Sequence, residues 1–477
     1  MLLQRLRVCC TRAKQGSPSK ATAVLVKHCK QAETVRAFGS SARAASLDKS
    51  KYILSDNGAQ FPKGFKAAAT ASGVKKNGLL DLALIASKTS QAASAAACFT
   101  KNVFQAAPVQ VSRSVLLGNS GHARSLIVNS GCANAVTGKQ GLENAWTMAK
   151  KTDEVLQHNA ASQSKAGSET LVMSTGVIGQ HVQIDKIVSS LQKLPERLGD
   201  DYASWASASQ AFMTTDTFPK LRTRSFTLGD QEVRIVGIDK GAGMIHPRMG
   251  PPHATLLGMI ATDANIDPAS LQKALTYAVD RSFNSISVDG DMSTNDTVVA
   301  LANGASGSRA ITSESSSDYE IFQREMTDFA TELASLVVRD GEGATKFVKI
   351  TVQGSPNYED AHHIASVIAR SPLVKTAIHG ADANWGRILC ATGYSTPSFA
   401  IDPTKVSVSF VPQDGSEILR TLVNGEPQPV DEARAKVILD MEDVEILVDL
   451  QMGTDSASYY TCDFSKEYIT INGDYRS

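Results

Sequence analysis

From about residue 50 onward, apolar residues fall into two alternating patterns. Short β-branched runs bounded by Gly, Asp or Asn predict strands at 125–128, 233–237, 256–261, 297–302, 347–352 and 406–410. Stripes at helical spacing predict helices. One spans 267–283, with Asp267 as cap and Pro268 at the first helical position. A second spans 319–338, where Phe322, Met326, Phe329, Leu333 and Leu336 recur on one face and Asp340-Gly341 supplies the stop. The polar stretch 303–317 reads as a surface loop. No heptad or 20–50-residue repeat is present. The pattern predicts a layered α/β protein.

Composition changes this picture little: 42% of residues are hydrophobic, 20% are charged, and 48 basic residues balance 48 acidic ones. Zero formal charge gives no support for nucleic-acid or membrane-surface binding as a main role. No apolar run approaches the roughly 20 residues needed to span a bilayer. The start of the chain differs. Residues 1–47 hold nine Lys or Arg and a single acid, Glu33, in a Ser- and Ala-rich context. A basic, acid-poor segment with no long apolar core predicts a mitochondrial transit peptide over residues 1–45 and a matrix location. Arg36-Ala37-Phe38-Gly39-Ser40-Ser41 resembles the two-step matrix-processing pattern, which puts the mature start near Ser46. Cys9, Cys10 and Cys29 lie in that leader. Cys98, Cys132, Cys390 and Cys462 are scattered singly, without zinc spacing, and each reads as a small buried residue.

Residues 240–258 read Lys-Gly-Ala-Gly-Met-Ile-His-Pro-Arg-Met-Gly-Pro-Pro-His-Ala-Thr-Leu-Leu-Gly, a Gly- and Pro-rich loop that opens an apolar run. A threonine there could cut its own peptide bond, and its freed α-amine would then be a base for its own hydroxyl. The plainer reading is a tight turn feeding a buried strand. Ser174-Thr175-Gly176-Val177-Ile178-Gly179 follows an apolar strand at 170–173. Thr175 and the Gly176 N–H could stabilise an oxyanion there, or the loop could be a common strand-to-helix turn. Glu342, between two glycines, could reach a cationic amine or sit in a solvated turn. Residues 289–296 crowd carboxylates and amides, but the calcium-loop and Asp-x-Asp phosphatase patterns are both incomplete, and Asx hydrogen bonding accounts for the loop. His362-His363 has no third ligand at helical spacing and reads as packing.

Taken together, residues 174–179, 214–217, 240–257, 288–297, 340–346, 371–388 and 472–477 resemble the ornithine acetyltransferases (glutamate N-acetyltransferases) of arginine biosynthesis, in their fungal, mitochondrial form. The likeness covers essentially everything after residue 50. It departs in one place: most members have Pro-Asn-Met directly before Ala-Thr. Here Arg248 replaces that Asn and Gly250-Pro251-Pro252-His253 is inserted, so Lys240 is four residues further from Thr255.

The resemblance implies an α-β-β-α sandwich of the self-cleaving Thr-nucleophile type, built jointly by fragments 46–254 and 255–477. Cleavage falls between Ala254 and Thr255. Thr255 then carries an acetyl group from N2-acetyl-L-ornithine to L-glutamate in a ping-pong cycle, with Thr175 and Gly176 as the oxyanion hole. Thr214, Lys240, Thr255, Glu342, Asn472 and Ser477 contact the amino-acid substrate by the same resemblance. No cofactor or metal is implied, although some members accept acetyl-coenzyme A as donor, which would make the enzyme bifunctional. The assembly implied is a heterotetramer of two α and two β fragments, with no nucleic-acid or membrane partner. The rivals are a self-cleaving amidohydrolase or aminopeptidase, in which water replaces glutamate, and an uncut binding protein.

Overall fold

The computed structural model describes residues 48–158, 164–250 and 256–473. The proposed transit peptide, 1–45, lies outside the described residues. The fold is that of the unit beginning at Lys49.

A seven-stranded sheet forms its centre. Its main strands are β1 (Ala93–Thr100), β2 (Lys220–Leu228), β3 (Gln231–Lys240), β4 (Leu257–Thr262) and β5 (Thr297–Ala302), in the spatial order β1-β5-β4-β3-β2. The short strands His122–Ala123 and Met249–Gly250 both pair with β1. Every residue of β4 is buried, which is why it reads as an unbroken apolar run. It pairs parallel with β5 and antiparallel with β3. A parallel neighbour needs a crossover, and helix α1 (Pro268–Arg281) supplies it. Strands from before residue 254 (β1, β2, β3) therefore interleave with strands from after it (β4, β5).

Strand alternation splits the sheet's two faces between two cores. Leu257, Met259 and Ala261 join Val236, Ile238, Val299 and Leu301 on one side. Ile260 joins Val233, Ile235, Val298 and Ala300 on the other, beneath α1 and α2 (Ser317–Arg339). Burying one such aliphatic side chain contributes about 1.5–3 kcal/mol. Helix α1 begins where Asp267 accepts hydrogen bonds from the N–H groups of Ala269 (2.8 Å) and Ser270 (3.0 Å). Helix α2 presents Phe322, Met326, Phe329 and Leu333 to the sheet. At Gly237 a Cβ would lie 2.3 Å from Leu333 Cδ1, so the helix can approach only over glycine.

The first core is shared with a four-stranded sheet, in the order Phe65–Thr70, Leu82–Ser87, Ser125–Asn129 and Thr170–Ser174, and with helices that include Ala107–Gly118 and Tyr202–Phe212. Helices and two sheets thus stack in layers, the α/β sandwich that the sequence predicts. A third sheet of seven strands, including Phe347–Ser355, Ser407–Pro412, Asp443–Asp449 and Asp455–Cys462, has its own core with helix Tyr358–Arg370.

Two expectations need correction. The polar stretch 303–317 is not all surface: Ser306, Ser308 and Ile311 are buried, because Ile311 exchanges backbone hydrogen bonds with Asn265 and Asp267. Cys98, Cys132 and Cys462 are buried, but Cys390 is exposed on helix Trp385–Gly393.

Candidate active site

Three strand ends meet on one rung of the central sheet. Lys240 ends β3 and pairs with Leu257, the first residue of β4, which pairs in turn with Thr297, the first of β5. The Thr297 N–H donates to the Leu256 carbonyl. Residues 251–255 lie outside the described residues, and with them Ala254, Thr255 and most of the insertion; of the insertion, Gly250 is strand backbone paired with Phe99. The described chain resumes at Leu256. Leu256 and Leu257 line a cavity of about 1040 Å3 together with Thr175, Gly176, Thr214, Lys240, Glu342 and Asn472.

Thr175 and Gly176 follow strand Thr170–Ser174, at the carboxyl end of a parallel pair with Ser125–Asn129. The Thr175 N–H is used, donating to the Asn129 carbonyl at 2.9 Å. Its hydroxyl oxygen accepts from Lys240 Nζ at 3.3 Å. A hydroxyl that accepts this way keeps its own hydrogen to donate. Gly176 has φ +128°, and a Cβ would sit 2.9 Å from the Cys132 nitrogen, so no other residue fits. Lys240 is buried. Burial pulls its pKa down from the ordinary lysine value; Lys220 adds to this, while Asp216, Asp296 and Glu342 oppose it.

A buried ionic network braces the rest of the wall. Lys220 Nζ lies 2.6 Å from both Asp216 Oδ1 and Asp340 Oδ2, and all three residues are buried. Asp216 also accepts from the N–H groups of Gly241 (2.7 Å) and Thr214 (2.8 Å). Burial alone would raise the pKa of Asp216, but the Lys220 and Lys240 charges hold it well below the usual carboxylate range. Burial alone would lower that of Lys220; Asp216, Asp340 and Asp239 raise it instead. Asp340 leads directly to Glu342, whose Oε2 accepts from Asn472 Nδ2 at 2.8 Å. Asn472 comes from the helix Lys466–Gly473. A Cβ on Gly243 would lie 2.4 Å from Glu342 Oε2, so any larger residue there would displace the carboxylate.

The ArgJ family profile matches residues 66–477. The chain belongs to the ArgJ family. Among curated relatives, the mitochondrial arginine biosynthesis bifunctional protein ArgJ of Postia placenta is 59% identical over 434 residues, covering 88% of this chain and 93% of its own. The protein of the same name from Cryptococcus neoformans var. neoformans serotype D is 54% identical over 469 residues, covering 93% and 98%. Among solved structures, the arginine biosynthesis bifunctional protein argJ of Bacillus halodurans is 39% identical, with a TM-score of 0.41, covering 44% of this chain and 95% of that one. Membership of the ArgJ family makes the protein an acyltransferase of arginine biosynthesis, and like these relatives it is mitochondrial.

Of the site residues expected in an ArgJ family member, Thr175, Gly176, Thr214, Lys240, Glu342 and Asn472 come together on this cavity. Ala254, Thr255 and Ser477 lie outside the described residues. The resemblance passed over Asp216, Lys220 and Asp296. Asn295, read as a turn residue, donates from Nδ2 to the Ser174 and Ala133 carbonyls (2.8 and 2.5 Å), tying the loop that holds Thr175 and Gly176 to the start of β5. Asp289 forms an Asx-type bond, accepting from the Asp291 N–H, and it also accepts from the Met244 and Ile245 N–H groups of the loop after β3. Among the described residues, no three His, Cys, Asp or Glu side chains are grouped to hold a metal ion. His362 packs between Tyr358 and Tyr459 and His363 bonds the Ser395 carbonyl, so both are packing residues.

Proposed function

We propose that this protein is a glutamate N-acetyltransferase that moves an acetyl group from N2-acetyl-L-ornithine to L-glutamate through an ester on Thr255. One observation carries the reading: a hydroxyl and a glycine suited to an oxyanion, with a buried lysine bonded to that hydroxyl, meet at the start of β4. Thr255 is joined by one peptide bond to Leu256, which lines the same cavity.

The precursor is cut between Ala254 and Thr255 by attack of the Thr255 hydroxyl on the preceding carbonyl. This leaves fragments 46–254 and 255–477, held together by the shared sheet and assembled as two of each. The new α-amine, with an ordinary pKa of roughly 7.7–8.0, takes the hydroxyl proton as Thr255 attacks the acetyl carbonyl. A charged Lys240 favours the neutral amine. The Thr175 hydroxyl and the Gly176 N–H receive the oxyanion, and one such donor contributes about 100–1,000-fold in rate. Glu342, buried and held by Asn472, accepts a charge-assisted hydrogen bond from the ornithine side-chain amine. Thr214 and Ser477 complete the amino-acid site. The chemistry needs no cofactor; acetyl-coenzyme A is an alternative donor for the same ester.

Incubation with acetylornithine, with and without glutamate, tests this reading. N-acetylglutamate is expected only with the acceptor. Free acetate formed at the same rate in its absence would mean a hydrolase and would overturn the assignment.

A further inference from the structure

The short turn Lys76–Gly78 brings to the cavity a cation that the chemistry above does not use. Asp81 is fully buried and pins the approach to that turn. Its carboxylate accepts from the N–H groups of Ser72, Val74 and Lys75, the last two at 2.9 Å. Lys75 is committed to the wall, donating from Nζ to the Leu80 carbonyl (3.0 Å) and the Met213 carbonyl (2.6 Å). Asn77, in the left-handed region at φ +62°, then turns the chain back. Val74 and Lys76 are left to line the cavity. Lys240, the other lysine of the lining, is coupled to Asp296 and Glu342 and bonds the Thr175 hydroxyl. Lys76 has no hydrogen bond or ion pair with any described residue.

Position and chemistry agree on a use for it. A Cβ on Gly131 would fall 3.2 Å from the Lys75 nitrogen, and one on Gly176 would fall 2.9 Å from the Gly131 carbonyl carbon. The Lys76 turn is therefore packed, through Gly131, against the loop that holds Thr175 and Gly176. Glu342 is bonded instead to Asn472 and abuts Gly243. In acetylornithine the α-carboxylate is two bonds from the reacting amide nitrogen, whereas the side-chain amine is five bonds away. An amide at Thr175 and Gly176 with its amine at Glu342 thus leaves the α-carboxylate at the reacting end. Glutamate carries an α-carboxylate in the same place. A carboxylate taken out of water needs donors or a countercharge, and Glu342 can supply neither. We infer that Lys76 is a further specificity-determining residue, the cation that binds the α-carboxylate shared by both amino-acid substrates. This rests on the reading of the cavity as the acetyl-transfer site. A lysine offers three donors on a flexible stem, so it can follow one carboxylate through both half-reactions. Recognition through Lys76 also lets one cavity take substrates whose side chains carry opposite charge, because it reads only the part they share.

The test measures binding, which needs no turnover. L-ornithine and L-glutamate are titrated calorimetrically into the mature wild type, Lys76→Met and Lys76→Arg. Putrescine and γ-aminobutyrate, the same molecules without the α-carboxylate, are titrated beside them. Because Lys76 is exposed, neither variant removes core packing. Lys76→Met is expected to weaken L-ornithine and L-glutamate about five- to fiftyfold and to leave putrescine and γ-aminobutyrate within about twofold. Lys76→Arg should recover most of the loss. Equal weakening of an amino acid and its decarboxylated partner would mean that the turn only shapes the wall, and no weakening of either would mean a solvated lysine. Each of these results overturns the assignment. A wild type that binds L-ornithine with the expected dependence on Lys76 but transfers no acetyl to glutamate would remove the acetyl-transfer reading and leave Lys76 as a carboxylate site. A wild type that binds neither amino acid would overturn both.

Discussion

Lys220→Met takes from Asp216 and Asp340 an ammonium that lies 2.6 Å from each. Lys49, at 3.4 Å, still faces Asp340, whereas Asp216 loses its ion-pair partner and is left with the more distant Lys240 and Lys75 charges and its hydrogen bonds from Thr214 and Gly241. Breaking a buried ion pair on one side costs about 3–5 kcal/mol, two to four powers of ten in the folding equilibrium. The pH window follows from the shifts. The raised Lys220 pKa contributes stability below about 10.4, and the depressed Asp216 pKa contributes it above about 3.9, so the full loss should appear between these values. Urea unfolding of the mature enzyme at pH 7 should show a clearly lower midpoint. Asp216→Asn/Lys220→Met/Asp340→Asn should recover much of the loss, since it removes both carboxylates together with the ammonium that pairs them. Because Asp216 holds Thr214 and Gly241, KM for acetylornithine should rise in Lys220→Met even where the protein is fully folded. An unchanged midpoint and an unchanged KM would refute the bracing role.

Other outcomes follow from single contacts. Gly176→Ala puts a methyl 2.9 Å from backbone atoms of Gly131 and Cys132, and kcat should fall by about 100-fold or more in a steady-state assay. Asn472→Ala strips Glu342 of its amide partner and should raise KM for acetylornithine by about ten- to hundredfold, with a smaller change in kcat. Burial lowers the pKa of His246 to about 3 and of His362 to about 4. Both take up protons mainly in the unfolded chain, so stability should decline as pH falls from about 6.5 towards 4. His362→Phe should reduce that slope in thermal melts, and an unchanged slope would contradict the assignment.

Strands β4 and β5 were legible because β-branched and Leu-rich runs carry the signal, whereas Leu82–Ser87 and β1, just as buried, escaped notice because they are rich in Ala and Ser. Strand β2 escaped notice because Arg222, Thr223, Arg224 and Ser225 keep it partly exposed and polar. The long apolar stripes of α1 and α2 were readable to within two residues of their ends. Site residues fared differently. Thr175, Gly176 and Glu342 stood out only as members of a resemblance, since each alone is ordinary turn chemistry. The Asp216–Lys220–Asp340 network joins residues up to 124 positions apart (340 − 216), a pairing no local pattern encodes. Asp296 looked like one more loop carboxylate; its burial is a property of the packed sheet.

Mass spectrometry of the mature enzyme after brief exposure to acetylornithine tests the central claim most directly. The account predicts a fragment that begins at Thr255 and carries a single acetyl ester on that residue, which glutamate discharges as N-acetylglutamate. A chain uncut at 254/255 that still transfers acetyl, or an acetyl group held on another residue, would contradict it.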